Sequence, residues 1–321
     1  MEDKPPVRPK RSSRKPEFRL LTRSDLDGLA GAVLLKERGL IGEIAFVRPQ
    51  DMQEGKVRVT KHDIVVNLPF VKGAHLAVDH HISETRRVRP GANYINDPAA
   101  PSASRVLYRH LGGPKRFPAY TQAMMAAVDK ADAGRFTLKD VLYPKGWTLL
   151  HFLLDPRTGL ERFRNFRLSI EETIAGLSDL CRTQPIHRVM KDFDITERSN
   201  RYFVLEEKFR EQLRKRAAVR DRIVTLDLRR EDPIWPGNRF MIYALFPECR
   251  VSITLLPGGR RGTTEVSVGK SIFNRGSKIN AGQLLLAHGG GGHAAAGACR
   301  VPAGKADRLA GRLAEAIVAA G

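Results

Sequence analysis

The stretch that most constrains the fold is LAVDHH at residues 76–81. Its first residues are small or apolar and predict the end of a buried strand, and an acid and two imidazoles follow where that strand should leave the sheet. In open α/β sheets, ligands bind beyond the carboxyl ends of the strands. Neighbouring side chains of an extended strand point to opposite faces, so His80 and His81 are expected to have different roles. For this stretch alone, a pair of surface histidines is the alternative interpretation.

The charge balance points to a polyanionic partner. The 321 residues include 55 Lys and Arg against 35 Asp and Glu, a formal net charge of +20. Such a charge predicts attraction to nucleic acid, polyphosphate or nucleotides, although a solvated basic surface explains it equally well.

Three separated cysteines argue for a reducing compartment and against a disulfide framework. No apolar run approaches the ~20 residues of a membrane span, so we expect a cytoplasmic protein without a membrane partner.

The chain is long enough for two domains. Its Pro-, Lys- and Arg-rich start predicts a disordered basic tail, and a stretch dense in Lys, Arg and Glu predicts a solvated connecting helix. The predicted division is a tail at 1–18, a first domain at 19–190, a helical linker at 191–222 and a second domain at 223–321.

The first domain opens with a strand, an acidic turn and a helix. Residues 19–23 predict a buried strand, and residues 29–37 predict an amphipathic helix, the first βα unit of a parallel α/β sheet. Between them, Asp25 and Asp27 are two residues apart, so both carboxylates are able to face one point above the sheet. Hard divalent cations take such clustered oxygens. A helix cap favoured by the macrodipole is the alternative role for either Asp.

Polar residues also follow the later elements of this domain. Strands are predicted at 44–47, 62–69 and 75–78, and Asn67 lies near the end of the second of these. A helix predicted at 119–130 is followed by Asp132. Polar groups that recur at one edge of a sheet predict a composite metal site.

These stretches together resemble the DHH family of phosphoesterases, which includes family II pyrophosphatases, exopolyphosphatases, RecJ-type exonucleases and short-RNA oligoribonucleases. The resemblance covers residue 19 to the end of the chain. The matching motifs are Asp25-Leu26-Asp27-Gly28, Asn67-Leu68-Pro69, Asp79-His80-His81, Asp132-Ala133-Gly134-Arg135-Phe136 and, from the accessory DHHA1 domain, Gly290-Gly291-Gly292-His293.

The resemblance implies a parallel-sheet DHH domain, a smaller α/β DHHA1 domain and a cleft between them. It implies one or two Mn²⁺ ions, with Mg²⁺ or Co²⁺ as alternatives. Asp25 would bind one ion, and the other would be bound by Asp27, His80 and Asp132. His81 would lie near the substrate phosphate. Asp79 would orient an imidazole.

Two departures from the family pattern affect the first metal. The family has a histidine shortly before its first Asp, where this chain has Leu21, Thr22 and Arg23, and it has a bridging Asp where this chain has Asn67. A neutral amide donates one oxygen but does not bridge two cations as a carboxylate does. Arg23 suggests a hypothesis, because a guanidinium is able to occupy the space of the first metal or bind substrate phosphate. The site would then be a one-metal or charge-substituted site.

The resemblance implies that the second domain holds the substrate. Strands are expected at 223–226, 240–245, 250–255 and 264–268, with a hairpin turn at 258–259. Consecutive glycines expose amide groups suited to an anion, although a flexible loop is the alternative for this run. The predicted phosphate contacts are Gly290, Gly291, Gly292, His293, Lys270, Ser271, Asn274, Arg275 and Arg300.

The sequence therefore predicts a metal-dependent phosphoesterase that hydrolyses a terminal phosphate bond in a short anionic polymer or nucleotide. An exopolyphosphatase-like and an oligoribonuclease-like enzyme both fit this description. A catalytically weakened member of the family that binds nucleotides or nucleic acid is the alternative. A third hypothesis, a single-strand nucleic-acid-binding protein, rests on net charge alone. A homodimer is left open.

Overall fold

A parallel five-stranded sheet forms the first part of the molecule. The computed structural model describes residues 17–89, 91–163 and 165–321, so residues 1–16 of the predicted tail lie outside the described residues. The strands lie in the order β2-β1-β3-β4-β5. They are β1 (Phe18–Thr22), β2 (Ile41–Phe46), β3 (Asp63–Val66), β4 (Leu76–Asp79) and β5 (Tyr94–Asn96).

The central strands are apolar because both faces of the sheet are covered. Every residue of β3 is buried, as are the last three residues of β4. Parallel sheets are covered by helices on both faces, and such strands become continuous apolar runs. Since all five strands run in the same direction, the residues that follow β1, β3 and β4 meet at one edge.

Ten helices lie between the start of the chain and the second sheet within the described residues. They are α1 (Leu26–Glu37), α2 (Pro49–Gln53), α3 (Ile82–Arg87), α4 (Ala103–His110), α5 (Ala119–Asp132), α6 (Leu138–Leu142), α7 (Gly146–Leu154), α8 (Ile170–Leu180), α9 (Ile186–Val189) and α10 (Phe193–Arg216). Short 3₁₀ turns lie at Gly113–Lys115, Pro156–Thr158 and Leu160–Arg162. None of the described helices is long and apolar enough to cross a membrane.

The second sheet has six strands in the order β10-β11-β9-β8-β7-β6. Only β7 and β8 pair in parallel, and β8 and β9 form the predicted hairpin. The strands are β6 (Ala217–Arg220), β7 (Ile223–Asp227), β8 (Val251–Pro257), β9 (Thr263–Lys270), β10 (Gly291–Gly292) and β11 (Ala296–Pro302). The helices of this part are α11 (Met241–Leu245), α12 (Ala281–Leu286) and α13 (Ala306–Ala319), and a 3₁₀ turn lies at Ala303–Lys305.

Two predictions of local structure are wrong. The predicted strand at 240–245 is the short helix α11, whose residues join the large core of the first sheet and its helices instead of pairing in the second sheet. An unbroken apolar run does not by itself distinguish a strand from a buried helix. The predicted helical linker, expected to run to residue 222, ends at Arg216, because residues 217–220 form the edge strand β6.

The large core continues from the first sheet into the second. Val224 and Leu226 of β7 belong to the same cluster of buried residues as Leu29 of α1 and Tyr202 of α10. A separate core lies between the second sheet and its helices. The parallel sheet followed by a smaller α/β part confirms the predicted fold class.

Candidate active site

Three ligand-type side chains converge at the carboxyl edge of the parallel sheet. Ligand atoms of Asp27, His80 and Asp132 all lie within 4.8 Å of one another. Asp27 is in the first turn of α1, His80 follows β4 and Asp132 ends α5. The Nε2 atom of His80 is 3.7 Å from Oδ2 of Asp132. The structure therefore brings together the three residues predicted to share one metal.

The carboxylate of Asp27 is held by the amino terminus of α4. The amides of Ala103 and Ser104 donate to its two oxygens at 3.1 and 2.9 Å, and the Ser104 hydroxyl donates to the Asp27 carbonyl at 2.6 Å. Burial raises the pKa of Asp27, and the charge of Asp25 raises it further. A bound cation would offset this repulsion, so the environment of Asp27 fits a metal ligand.

The other two ligands also fit a cation. Nδ1 of His80 is 3.3 Å from the Ala100 carbonyl oxygen, so a proton on Nδ1 leaves Nε2 free to bind metal. Burial raises the pKa of Asp132 well above its usual value, and the charges of Asp27 and Asp25 add to the effect. Two carboxylates and an imidazole with this spacing suit a divalent cation such as Mn²⁺.

Asp25 and Asn67, which were predicted at a first metal, have contacts unlike those of Asp27, His80 and Asp132. Asp25 caps α1 by accepting from the Gly28 amide at 2.9 Å, and its other oxygen is 3.1 Å from Nε of Arg23. Asn67 has a left-handed backbone with φ of 60° and a buried Oδ1 without a hydrogen-bond partner among the described residues. Unlike Asp27, whose oxygens accept only from neutral amides, Asp25 is paired with the positive charge of Arg23. That charge would repel the metal that the family pattern expects beside Asp25.

Asp79 and His81 form a tight pair beside the three ligands. Oδ1 of Asp79 is 2.6 Å from Nδ1 of His81, and the Asp79 side chain is buried. Burial acts to lower the pKa of His81, but the hydrogen bond and charge of Asp79 outweigh it and raise the pKa overall. Burial and the charge of Asp79 raise the pKa of Tyr94 well above its usual range. The carboxylate of Asp79 thus holds Nδ1 of His81, and the orienting role that the resemblance implies stays a prediction.

The glycine-rich motif brings His293 to this pair. The rings of His293 and His81 have centroids 5.1 Å apart. Burial lowers the pKa of His293 to about 4, helped by the charges of His81 and His80. A Cβ built on Gly290 would lie 2.2 Å from the Ala298 carbonyl oxygen, so this position requires glycine for close packing against β11.

The amides of the glycine run are partly used inside the protein. The Gly290 amide donates to the Leu285 carbonyl at 3.0 Å, and the His293 amide donates to the Ala296 carbonyl at 2.7 Å. Gly291 and Gly292 pair with β11. Because the amides of Gly290 and His293 already donate inside the protein, an anion would contact the side chain of His293 more readily than these two amides.

The other predicted phosphate contacts mostly stabilise their own loop. The Ser271 hydroxyl accepts from the amides of Phe273 and Asn274. The side-chain amide of Asn274 donates to the backbone carbonyl oxygen of Glu248. Lys270 Nζ and Arg275 Nε donate to the carbonyl oxygens of Ile279 and Ile272. The loop itself is near the cluster, because a Cβ built on Gly134 would lie 3.4 Å from Cγ2 of Ile272.

Arg300 lies farther along β11. Its Nη2 is 3.8 Å from Glu265 on the neighbouring strand. Four residues of extended strand separate it from Ala296, about 13 Å of chain. Among the described residues, the contact found for the Arg300 side chain is this ion pair with Glu265.

Sequence reasoning missed a group of charged residues beside the cluster. Arg157 forms a bidentate ion pair with the buried carboxylate of Asp155, and burial lowers the pKa of Arg239, with a contribution from the charge of Arg157. The charge of Arg157 also acts against the rise in the pKa of Asp132. The sequence signal that could have identified this group is the turn Asp155-Pro156-Arg157, an acidic turn that directly follows the buried helix α7.

Comparisons with known proteins agree with this geometry. The chain is 47% identical to the pGpG-specific phosphodiesterase PggH from Vibrio cholerae, with a TM-score of 0.80, covering 95% of this chain and 100% of that chain. The chain belongs to the DHH/DHHA1 family. RecJ from Thermus thermophilus in complex with Mn²⁺ shares the fold, with a TM-score of 0.57 and 16% identity over 94% of this chain and 52% of that chain.

Membership of the DHH/DHHA1 family confirms the predicted resemblance, and the prediction of a phosphohydrolase enzyme is confirmed with it. No family model matches the chain, and no curated protein matches it.

Proposed function

We propose that this chain is a phosphodiesterase that hydrolyses short linear nucleotides, with one Mn²⁺ ion held by Asp27, His80 and Asp132. The observation that carries the proposal is the convergence of these three side chains beside the Asp79–His81 pair. The 47% identity to a pGpG-specific phosphodiesterase supports a phosphodiester substrate rather than polyphosphate. A linear dinucleotide of the pGpG kind is therefore the proposed substrate class.

The residues of the chain would divide the work as follows. A divalent cation in such a site supplies positive charge to a phosphate oxygen and lowers the pKa of a bound water. His81 keeps Nδ1 on Asp79, so Nε2 is the edge left to hydrogen-bond a phosphate oxygen. The raised pKa of His81 favours the form in which Nε2 carries a proton. His293 faces His81 from the second part of the molecule and stays neutral, since its pKa is about 4.

Arg23 is proposed to replace part of the positive charge of a second metal. Its guanidinium lies 3.1 Å from Asp25, at the position where the family resemblance expects a first-metal ligand. Asn67 carries no charge, so fewer carboxylates remain there to attract a second cation. The expected stoichiometry is about one ion per chain.

The test measures hydrolysis of pGpG, a short RNA, polyphosphate and bis-p-nitrophenyl phosphate with and without Mn²⁺. Turnover of the nucleotides that requires Mn²⁺ and is lost in His80→Ala would support the proposal. Metal analysis of the same samples should give about one bound Mn²⁺ per chain, and two in the wild type would refute the single-ion site. Binding of nucleotide without hydrolysis under any divalent ion would favour the weakened, nucleotide-binding alternative, for which Asn67 and the Arg23–Asp25 pair are the specific observations.

The cytoplasmic setting and the domain boundaries at 19–190, 191–222 and 223–321 are proposed along with this function. The homodimer stays open.

A further inference from the structure

A cavity of about 830 Å³ lies at one end of the second sheet. Asp227 ends β7, Pro257 ends β8 and Thr263 begins β9, and all three line the cavity. Its other walls are the end of α10, the start of β6 and the start of α13. Small-molecule sites in proteins have volumes of roughly 300–1,000 Å³, so a cavity of this size is large enough to hold one.

This cavity is separate from the candidate active site. Thr264 of β9 lines it, whereas Gly269 at the other end of β9 pairs with Ala296, which accepts from the amide of His293. The five residues of extended strand from Thr264 to Gly269 span about 17 Å. The cavity and the histidines therefore lie at opposite ends of the second sheet.

Arg229 joins two walls of the cavity. Its Nε and Nη2 donate to the carboxylate of Asp227 at 2.9 and 2.6 Å, and its Nη1 and Nη2 donate to the carboxylate of Asp307 at 3.2 and 2.5 Å. These bonds tie the end of β7 to the start of α13, so the shape of the cavity is set before a ligand enters. Arg229 has no donor left for a ligand, and both carboxylates are paired.

The third acid that lines the cavity is also paired. Glu231 accepts from Arg216 at 2.5 Å and from the side-chain amide of Gln212 at 2.7 Å. Lys215 and Arg230 are the chain neighbours of this ion pair, and both line the cavity. Neither has an ion pair among the described residues. These two cations are therefore the charged groups left to contact a ligand.

Small side chains leave room beside the two cations. Ala217, Ala218 and Ala303 line the cavity with one methyl group each, and a Cβ built on Gly262 would have nothing within 4 Å. The buried side chain of Thr264 adds a hydroxyl group. The space exceeds what a single inorganic anion fills, so it suits an anionic group carried on a small organic body.

We propose that this cavity binds the phosphate group of a small molecule between Lys215 and Arg230. A phosphomonoester carries about −1.5 to −2 charges at pH 7, which two cations match better than they match the single charge of a carboxylate. Arg230 is able to donate to two phosphate oxygens, and Lys215 supplies a point charge. The site is distant from the proposed metal ligands, so this inference does not depend on the proposed function.

The test is calorimetric titration of the metal-free full chain with GMP, inorganic phosphate and guanosine. The wild type is compared with the double variant Lys215→Gln/Arg230→Gln and with Lys139→Gln/Arg312→Gln, a control that removes one lysine and one arginine from exposed positions elsewhere. The wild type and the control should bind the phosphate-bearing probes and not guanosine. The cavity variant should bind those probes more weakly by about tenfold or more, as expected for lost charged hydrogen bonds.

His81→Ala separates this cavity from anion binding at the candidate active site, and it should keep the cavity site. Tighter binding of GMP than of inorganic phosphate would support an organic phosphate as the ligand, and equal affinities would support the site with the free anion as its ligand.

Four results would overturn the inference. They are no binding of either phosphate-bearing probe to the wild type, equal affinities of the cavity variant and the control, binding that is lost in His81→Ala but kept in the cavity variant, and guanosine binding as tight as that of GMP. An absence of nucleotide hydrolysis would refute the proposed function and leave these titrations unaffected.

Discussion

The buried imidazole of His151 should make the protein sensitive to mild acid. The side chain is 5% exposed, packs on Phe136 and Phe152, and has no hydrogen-bond partner for either ring nitrogen among the described residues. Burial lowers the pKa of His151 to about 4, against the opposing charge of Asp155. In the unfolded chain the same group has a pKa of about 6.5.

The sign of the effect follows from these two pKa values. Above about pH 6.5, His151 is neutral in both states and contributes nothing to the pH dependence. As the pH falls further, the unfolded chain binds a proton that the folded protein does not, so stability is lost progressively until about pH 4. A difference of about 2.5 pKa units corresponds to at most ~3.4 kcal/mol, and the loss between about pH 7 and pH 5 is ~2 kcal/mol.

The assay is urea unfolding of the wild type and His151→Leu at both pH values. Leucine is apolar, similar in volume and does not titrate, so the variant should lose ~2 kcal/mol less than the wild type between about pH 7 and pH 5. Comparing the two proteins cancels the contributions of the other titrating groups. Equal pH dependence in both proteins would refute the assignment of a buried, neutral His151.

Four further results are expected. A Cβ on Gly28 would lie 1.9 Å from the Arg23 carbonyl oxygen, so Gly28→Ala should lower unfolding free energy by about 1–3 kcal/mol or more in a urea titration. Gly176→Ala, on α8 with nothing within 4 Å, should instead be neutral or stabilise by up to about 1 kcal/mol, and a loss there would contradict this reasoning. Ser169 caps α8 in a reciprocal pair with Glu172, so Ser169→Ala should cost about 0.5–2 kcal/mol, and a thermal scan that shows no change would be contrary. Saturating Mn²⁺ at about 100 times its Kd should stabilise the wild type by ~2.7 kcal/mol but leave His80→Ala unchanged in calorimetry, and equal shifts would place the ion elsewhere.

Much of the first sheet was predictable because its signals are local. Buried parallel strands are short apolar runs, and the polar residues that end them must meet at one edge. The sequence therefore predicted one polar edge, whereas the resemblance to the DHH family implied that Asp27, His80 and Asp132 share one metal. The resemblance likewise implied that Asp79 orients an imidazole, and the structure shows that its partner is His81.

The roles of other residues depended on which groups the fold places beside each side chain. Asp25 and Asp27 look alike in the sequence, yet one caps α1 and pairs with Arg23, while the other is held by the amides of α4. The residues 240–245 are apolar enough for a strand, but only their packing in the large core makes them the helix α11.

The sequence by itself determined the family and the fold class, since those depend on local periodicity and on motifs of a few residues. Only the tertiary structure decided that His293 meets His81 and that Phe136 packs against His151 and Phe240. Those contacts join segments up to about 200 residues apart, and their geometry is set by how complete side chains fill a shared core. No local pattern carries that information.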